Sequence, residues 1–199
     1  MFKTSSKILW ALLIVMISLP ASALIDLRLT YGLQAIDPTA LNNNAPTLPA
    51  ITKMNGLGAD IIVSPPVIPV GFGLRYEQLG SEETLPGVSV DFNMTRTALI
   101  VNWRFIDTFL MVGIIGTYGL SHSNEYKSTG GPYTATLKAD DVSSLTAGVE
   151  AGVKIPLLGM IAGAEAGTMK MELKKYNQGA PDADFNGFYT KVFVGFNLL

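Results

Sequence analysis

A histidine between two serines is the stretch of the chain whose residue types come nearest to a hydrolytic site. His122 is the single histidine of the 199 residues, and Ser121, Ser123 and Glu125 lie beside it. A histidine can activate a serine hydroxyl as a nucleophile, and a carboxylate can orient that histidine. In an extended strand, however, adjacent side chains point to opposite faces. Neither flanking serine can easily reach the imidazole, so we predict a polar loop histidine and no catalytic residues.

Metal and cofactor chemistry are disfavoured by the composition. The chain has no cysteine and one histidine, so zinc would lack its usual ligands and no disulfide can form. Asp140 and Asp141, or Asp182 and Asp184, could hold a calcium ion weakly, but carboxylates in loops are usually solvated. We therefore expect no metal site and no cofactor.

An alternating pattern defines the elements that would position these residues, and Ser144–Ile155 is its clearest example. From Leu145 to Ile155, apolar residues at odd positions alternate with small, polar or charged residues at even positions. A period of two is that of a β-strand. The segment is also long enough to cross a bilayer as a tilted strand, which takes about 9–11 residues.

Seven further segments repeat this pattern, so we predict an all-β fold: an eight-stranded antiparallel up-and-down transmembrane β-barrel. The other predicted strands are Leu24–Ala35, Gly56–Ser64, Val70–Leu79, Val88–Phe105, Phe109–Ser121, a strand from near Leu158, and Asn186–Leu199. Long and short connections alternate, as in outer-membrane barrels with outer loops and periplasmic turns. The predicted outer loops are Ile36–Asn55, Gly80–Gly87, His122–Val142 and Asn177–Phe185.

The N-terminus reads as a secretory signal peptide, Met1–Ala23, followed by one barrel domain, residues 24–199. Lys3 and Lys7 precede the apolar run Ile8–Leu19, and Ala21-Ser22-Ala23 is a small-residue cleavage site. A single membrane helix is the alternative, but this apolar run is short and ends at a proline. Cleavage near Ala23 would leave 12 of the 14 basic residues beside 16 acidic ones, so nucleic acid is not an expected partner.

Lipid is the predicted environment of the apolar face. A soluble barrel such as a lipocalin would bury that face and need a densely charged exterior, whereas only 15% of the residues are charged. Aromatic residues lie near both ends of the apolar face, as in the girdles of membrane barrels. They are Tyr31, Tyr76, Tyr118 and Phe188 near the long connections, and Trp103, Phe105 and Phe196 near the short ones.

With the apolar face outward, ten charged side chains would fill the barrel interior. They are Arg28, Arg75, Arg104, Lys154 and Lys191, with Asp26, Asp60, Glu77, Glu150 and Glu165. Charges in a narrow interior of low dielectric are costly unless they are paired. We therefore predict a lumenal ion network that plugs the barrel, in which Arg28 and Arg75 pair with some of Asp60, Glu150 and Glu165. The alternative is that some of these groups contact lumenal water.

Architecturally, the region Leu24–Leu199 resembles the small eight-stranded outer-membrane barrels of the OmpA transmembrane-domain and OmpX type. Its last strand, F-Y-T-K-V-F-V-G-F-N-L-L, resembles their assembly signal, but Phe196 is followed by three further residues where that signal usually ends on an aromatic. The resemblance implies the outer membrane of a Gram-negative bacterium. It also implies contact with outer-membrane lipid and lipopolysaccharide, insertion by the barrel-assembly machinery, and a monomer. We expect no peptidoglycan-binding domain after the barrel.

Two other functions remain open beside a structural or surface-interaction role. The lipid A deacylase barrels resemble this chain through a His-x-Ser-Asn pattern, but His122-Ser123-Asn124 lacks one residue of it. Apolar residues also change phase in the fourth and seventh predicted strands, and they could line a pocket for small hydrophobic molecules, as in the OmpW type. The pocket residues would be Phe92, Met94, Met169 and Met171, with Val88, Val90 and Leu173. Bulges above the membrane, which are common at barrel rims, would also explain the phase change and are the explanation that we favour.

Overall fold

A computed structural model describes residues 24–36, 50–65, 68–130, 134–177 and 182–198. The predicted signal peptide, Met1–Ala23, lies outside the described residues, and so does most of the first predicted outer loop. Among the described residues, no helix is long and apolar enough to cross a membrane.

Eight long strands, each antiparallel to its neighbours, form a closed barrel, so the predicted fold class is confirmed. In chain order, the eight long strands and two short ones, β6 and β9, are β1 (Leu24–Ile36), β2 (Lys53–Ser64), β3 (Val70–Leu85), β4 (Val88–Asp107), β5 (Leu110–Thr129), β6 (Ala135–Leu137), β7 (Ala139–Ile155), β8 (Met160–Tyr176), β9 (Ala183–Asp184) and β10 (Gly187–Leu198). The short strands β6 and β9 add to β5 and β8. The barrel closes where β1 pairs with β10, from Ile25–Leu198 to Ile36–Gly187.

The two ends of the barrel differ in their connections. At one end, here called the turn end, short segments join β2–β3, β4–β5 and β7–β8, and β1 begins and β10 ends there. The short 3₁₀ helix Pro156–Leu158 makes one of these turns. The other end, the loop end, holds the connections β1–β2, β3–β4, β5–β7 and β8–β10.

Two of the predicted outer loops are mostly strand, and those predictions were wrong. The segment Gly80–Gly87 continues β3 to Leu85 and then makes a tight turn, with Gly87 at a φ of 83°. The segment His122–Val142 contributes the last residues of β5, all of β6 and the start of β7. Both segments looked like loops because they are rich in polar and charged residues, most of whose charged side chains face outward above the apolar part of the wall, whereas Ser81, Asn124 and Ser128 are buried.

An apolar belt covers the outside of the barrel in its turn-end half and middle. Leu29 and Val149 are 67% and 58% exposed, whereas their neighbours Arg28 and Glu150 are buried. The seven aromatic residues named above all lie on this exposed face. Outward apolar and inward charged residues are the arrangement that a lipid environment favours.

Towards the loop end the polarity of the two faces inverts, without a change in strand geometry. On β4 the inner face passes from Arg96 to Met94, Phe92 and Val90, and the β3–β4 register has no shift from Val70 to Leu85. The inner face of β8 likewise continues past Glu165 to Met169, with an unshifted β7–β8 register there. The phase changes in the sequence are therefore changes of chemistry along one face, and bulges do not cause them on these two ladders.

Candidate functional site in the barrel interior

The layer of the interior nearest the turn end is built around Glu150 of β7. Its carboxylate accepts hydrogen bonds from Arg28 at 2.8 Å and from Arg104 at 3.0 Å. Asp26 accepts from both arginines as well, and from the Asn197 amide. Residues from β1, β4, β7 and β10 thus meet in one cluster, because each lies on the inward side of its strand.

The middle layer is centred on Arg75 of β3. Its Nε and Nη2 donate to the two oxygens of Asp60, each at 2.8 Å, which is a bidentate pair. Its Nη1 and Nη2 also donate to Glu165 at 3.1 Å and 2.8 Å. The Tyr189 hydroxyl donates to Glu165 at 2.6 Å. A single guanidinium therefore joins β2 and β8, using its planar fork of donors.

The third layer is centred on Glu77. Its carboxylate pairs with Lys191 and with Arg96, whose Nε lies 3.2 Å from it. Arg96 also donates to the Thr117 hydroxyl, which is 2.6 Å from that of Thr146. Arg96 is not among the lumenal residues predicted from the sequence. Its even-numbered position, in phase with Arg104 on the same strand, was the signal that could have placed it there.

Lys154 is the predicted network residue that lies apart from these layers. Its ammonium is 2.7 Å from Asp107 at the turn end, and its side chain is partly exposed. It belongs to the mouth of the barrel. With Arg96 in its place, five basic and five acidic side chains of the described residues are buried in the interior. The basic ones are Arg28, Arg75, Arg96, Arg104 and Lys191, and the acidic ones are Asp26, Asp60, Glu77, Glu150 and Glu165.

Above the ionic layers, towards the loop end, the interior is apolar. Phe92, Met94, Met169 and Met171 belong to one cluster of buried side chains, and Phe92 and Met171 have no exposed surface. The Phe92 ring stacks on that of Phe185, with 4.9 Å between centroids. The four residues predicted to line a pocket therefore lie together in the structure, where they form part of a packed cluster.

Three polar side chains at this cluster have buried polar atoms without hydrogen-bond partners among the described residues. They are Gln34, through both its amide oxygen and nitrogen, and Ser81 and Tyr176, through their hydroxyls. Gln34 is 1% exposed, and its register partners Met54 and Tyr189 both belong to the apolar cluster. An unpaired buried polar group costs about 1–3 kcal/mol. A bound molecule that carries donors and acceptors would remove this cost.

His122 has a partner that sequence spacing could not identify. Its Nε2 lies 2.8 Å from the hydroxyl of Ser144 on β7. His122 lies beyond the apolar belt, whose last outward residue on β5 is Leu120. Burial, and then the positive charge of Arg96, lower the pKa of His122 to about 4. Such an imidazole is a poor general base near neutral pH. The pair therefore has the residue types of a Ser-His dyad, but its histidine is a weak base for activating the serine.

Among the described residues, no group of three or more His, Cys, Asp or Glu side chains could hold a metal ion.

No protein-family model and no curated protein sequence matches the chain. Ail, the attachment invasion locus protein of Yersinia pestis, has a similar structure, with a TM-score of 0.56 and 10% identity over 88% of this chain and 99% of Ail. Ail in complex with the heparin analogue sucrose octasulfate gives a TM-score of 0.51, with the same identity and coverage. The chain has the fold of the small eight-stranded outer-membrane β-barrels.

Proposed function

We propose that the protein is an integral outer-membrane barrel with a structural or surface-interaction role, and that its lumen is plugged by ion pairs. The observation that carries this proposal is the stack of three ionic layers inside the barrel. Each layer joins strands that are not neighbours in the sheet, as Arg28 and Glu150 do at 2.8 Å. Such bridges fill a narrow interior and leave no buried charge in these layers without an opposite one.

The proposed location and partners follow from the outer surface. The chain would be exported, cleaved near Ala23 and inserted in a Gram-negative outer membrane by the barrel-assembly machinery. Outer-membrane lipid and lipopolysaccharide would then surround the apolar belt, and the protein would work as a monomer. We propose no enzymatic role, because the His122–Ser144 pair is the nearest approach to a catalytic group and its imidazole is a weak base.

A polysulfated ligand, like the one bound to Ail in the complex, is disfavoured for this chain by its charges. The described loop end carries nine acidic and six basic residues outside the interior. The acidic ones are Glu82, Glu83, Asp91, Glu125, Asp140, Asp141, Glu172, Asp182 and Asp184, and the basic ones are Lys53, Lys127, Lys138, Lys170, Lys174 and Lys175. Their balance repels polyanions, so a surface partner would be neutral or cationic where it meets this rim.

Conductance of the refolded protein in a planar lipid bilayer tests the plugged lumen. We expect no steady conductance from the unmodified barrel. The variant with both Arg75→Ala and Glu165→Ala loses the bridge across the middle layer and should conduct in bursts. Replacement of Leu29 by Ala, on the lipid-facing side, is the matched control and should stay silent. A steady conductance of the unmodified barrel would contradict the proposal.

A second candidate function is the binding of a small hydrophobic molecule in the loop-end half of the interior. The unpartnered amide of Gln34 beside the apolar cluster favours it, because such a group needs an explanation in a folded protein. Four methionines in the cluster have side chains adaptable enough to make room for a guest. They are Met54, Met94, Met169 and Met171.

Spin labels on adjacent residues of β8 test this second function. Met171 points into the cluster and Lys170 points outward. A label at Met171 should lose mobility when a long-chain detergent is added, whereas a label at Lys170 should not. Equal responses of the two labels would count against a binding site in the interior.

A further inference from the structure

The backbone hydrogen-bond ladder between β5 and β7 stops well below the loop end. Its pairs run from Leu110–Val153 to Tyr118–Leu145. Beyond that point β5 pairs only with β4 and then with β6, and β7 pairs with β8. Within the described residues, no backbone hydrogen bond joins residues 119–125 of β5 to residues 139–144 of β7. This gap in the barrel wall is here called the seam.

Side chains fill the seam in place of the ladder. The His122 imidazole reaches across to the Ser144 hydroxyl at 2.8 Å. The Asn124 amide donates to the Ala139 carbonyl and accepts from the Ala139 N–H, both at 2.9 Å. At the level where the seam starts, β5 carries a bulge, because Leu120 has no partner on β4 between Gly119 and Ser121. Side-chain contacts of this kind can be exchanged without breaking a strand pairing.

The seam begins at the outer edge of the apolar belt. On β5 the outward residues change there from Tyr118 and Leu120 to Ser121 and Ser123, and on β7 from Leu145 to Ser143. Unpaired backbone groups are not tolerated where a barrel wall faces hydrocarbon. The seam therefore lies at the level of the lipid headgroups, where water and polar lipid groups can satisfy them.

Behind the seam lies the apolar cluster. Val142 of β7 and Tyr126 of β5 pack in it, beside Met171. At the inner edge of the seam, Arg96 stands opposite His122 in the β4–β5 register. Its Nη1 is fully buried. The seam thus joins the headgroup level to an apolar interior, and it passes the Arg96 guanidinium, whose Nη1 has no hydrogen-bond partner among the described residues.

We propose that the seam is a lateral access route and head-group site for a long-chain fatty acid. The alkyl chain passes between β5 and β7 into the apolar cluster, and the carboxylate stays at the seam. There it accepts hydrogen bonds from Arg96 and from the Asn124 amide or Ser144 hydroxyl. This proposal rests on the second function above, to which it adds the class of ligand and the route.

A tryptophan reporter and a reversible tether test the route. Replacing Trp103 by Phe removes the fluorophore of the barrel domain, and Phe92→Trp places a new one in the apolar cluster. Quenching by a brominated long-chain fatty acid then reports entry of the alkyl chain.

The protein has no native cysteine, so Ser123→Cys and Ser143→Cys can be joined across the seam by a short bis-methanethiosulfonate linker. Tyr126→Trp is the second reporter if Phe92→Trp does not fold.

We expect quenching without the tether, loss of quenching with it, and recovery when reductant removes it. The control tether joins Ile114→Cys and Val149→Cys, outward partners in the intact ladder, and should change nothing. Quenching that persists with the seam tether would overturn the route and leave the binding function standing. No quenching in any state would overturn both. Equal quenching by the methyl ester of the acid would overturn the carboxylate site.

Discussion

Arg75 and Glu165 face each other across the full width of the barrel, joined by hydrogen bonds of 2.8 Å and 3.1 Å. Arg75 is on β3 and Glu165 is on β8, and three long strands separate them in either direction around the sheet. Two side chains therefore span the diameter. An interior that a single ion pair can bridge has no room for a wide channel, which agrees with the dimensions of eight-stranded barrels.

Replacing Glu165 by Leu should destabilise the barrel strongly. The change removes one carboxylate partner of Arg75 and the acceptor of Tyr189, so positive charge stays buried with less compensation. Breaking a buried pair costs about 3–5 kcal/mol, and we expect a loss near the lower end because Asp60 remains. Urea unfolding in micelles, followed by circular dichroism, measures it. Thr168→Ala, on the exposed face of the same strand, should hardly move the midpoint, and equal midpoints for the two variants would refute the network.

Replacing Gln34 by Leu should stabilise the barrel in the absence of ligand. Its buried amide has no partner among the described residues, and an apolar side chain of similar size removes a cost of about 1–3 kcal/mol. The same urea experiment should show a higher midpoint. Gln78→Leu is the control, because that amide is exposed and bonded to the Tyr76 hydroxyl. A lower midpoint for Gln34→Leu would mean that the amide has a partner in solution.

The titration of His122 should occur far below the usual range. Burial and the charge of Arg96 lower its pKa from 6.5 to about 4 in the folded barrel. The unfolded chain binds this proton first, so the contribution of His122 to the free energy of unfolding falls as the pH drops from about 6.5 to about 4. The chain has one histidine, so its ring proton signals can be followed by NMR in micelles without assignment. A folded-state midpoint near 6.5 would contradict the burial of His122 beside Arg96.

Cysteine labelling should distinguish the two ends of the barrel on intact cells. Asp140 is exposed at the loop end, and Leu157 is 98% exposed in a turn at the other end. A membrane-impermeant maleimide should label Asp140→Cys on intact cells and Leu157→Cys only after the outer membrane is opened. The reverse result would invert the proposed orientation. Gly130 is a poor position for this test, because a Cβ there would lie 2.1 Å from the Gly87 carbonyl oxygen.

The fold was predictable because lipid and a narrow interior impose opposite polarities on alternate residues. Ser144–Ile155 shows this without interruption, and it lies within β7. Beyond the belt the outer face meets water and the inner face is apolar, so the rule reverses. Phe92 then appeared out of phase although it shares the inner face of β4 with Arg96. The same reversal made the strand Ser81–Leu85 look like a loop.

The candidate site was predictable in its residue types and less so in its contacts. Charge balance pointed to ion pairs in the interior, but the choice of Glu165 for Arg75 depends on barrel closure, which brings β3 opposite β8. The partner of His122 is a residue 22 positions away, across a gap that no local pattern encodes. The bulge at Leu120 turns His122 to the inner side of the wall, where Ser144 already lies in phase with Glu150 on β7.

The inversion of polarity along the strands fixes the thickness of bilayer that the protein fits. On β5 the outward face stops being apolar between Leu120 and Ser121, and each strand has its own such limit. Moving that limit by one outward position would change the apolar height by about 6–7 Å along the strand. Hydrophobic mismatch costs fractions of a kcal/mol per ångström and sorts proteins among membranes of different thickness. The residues that end the belt therefore set the apolar height of the barrel. Replacing Ser121 and Ser123 by Leu would shift the preference of the barrel towards thicker bilayers.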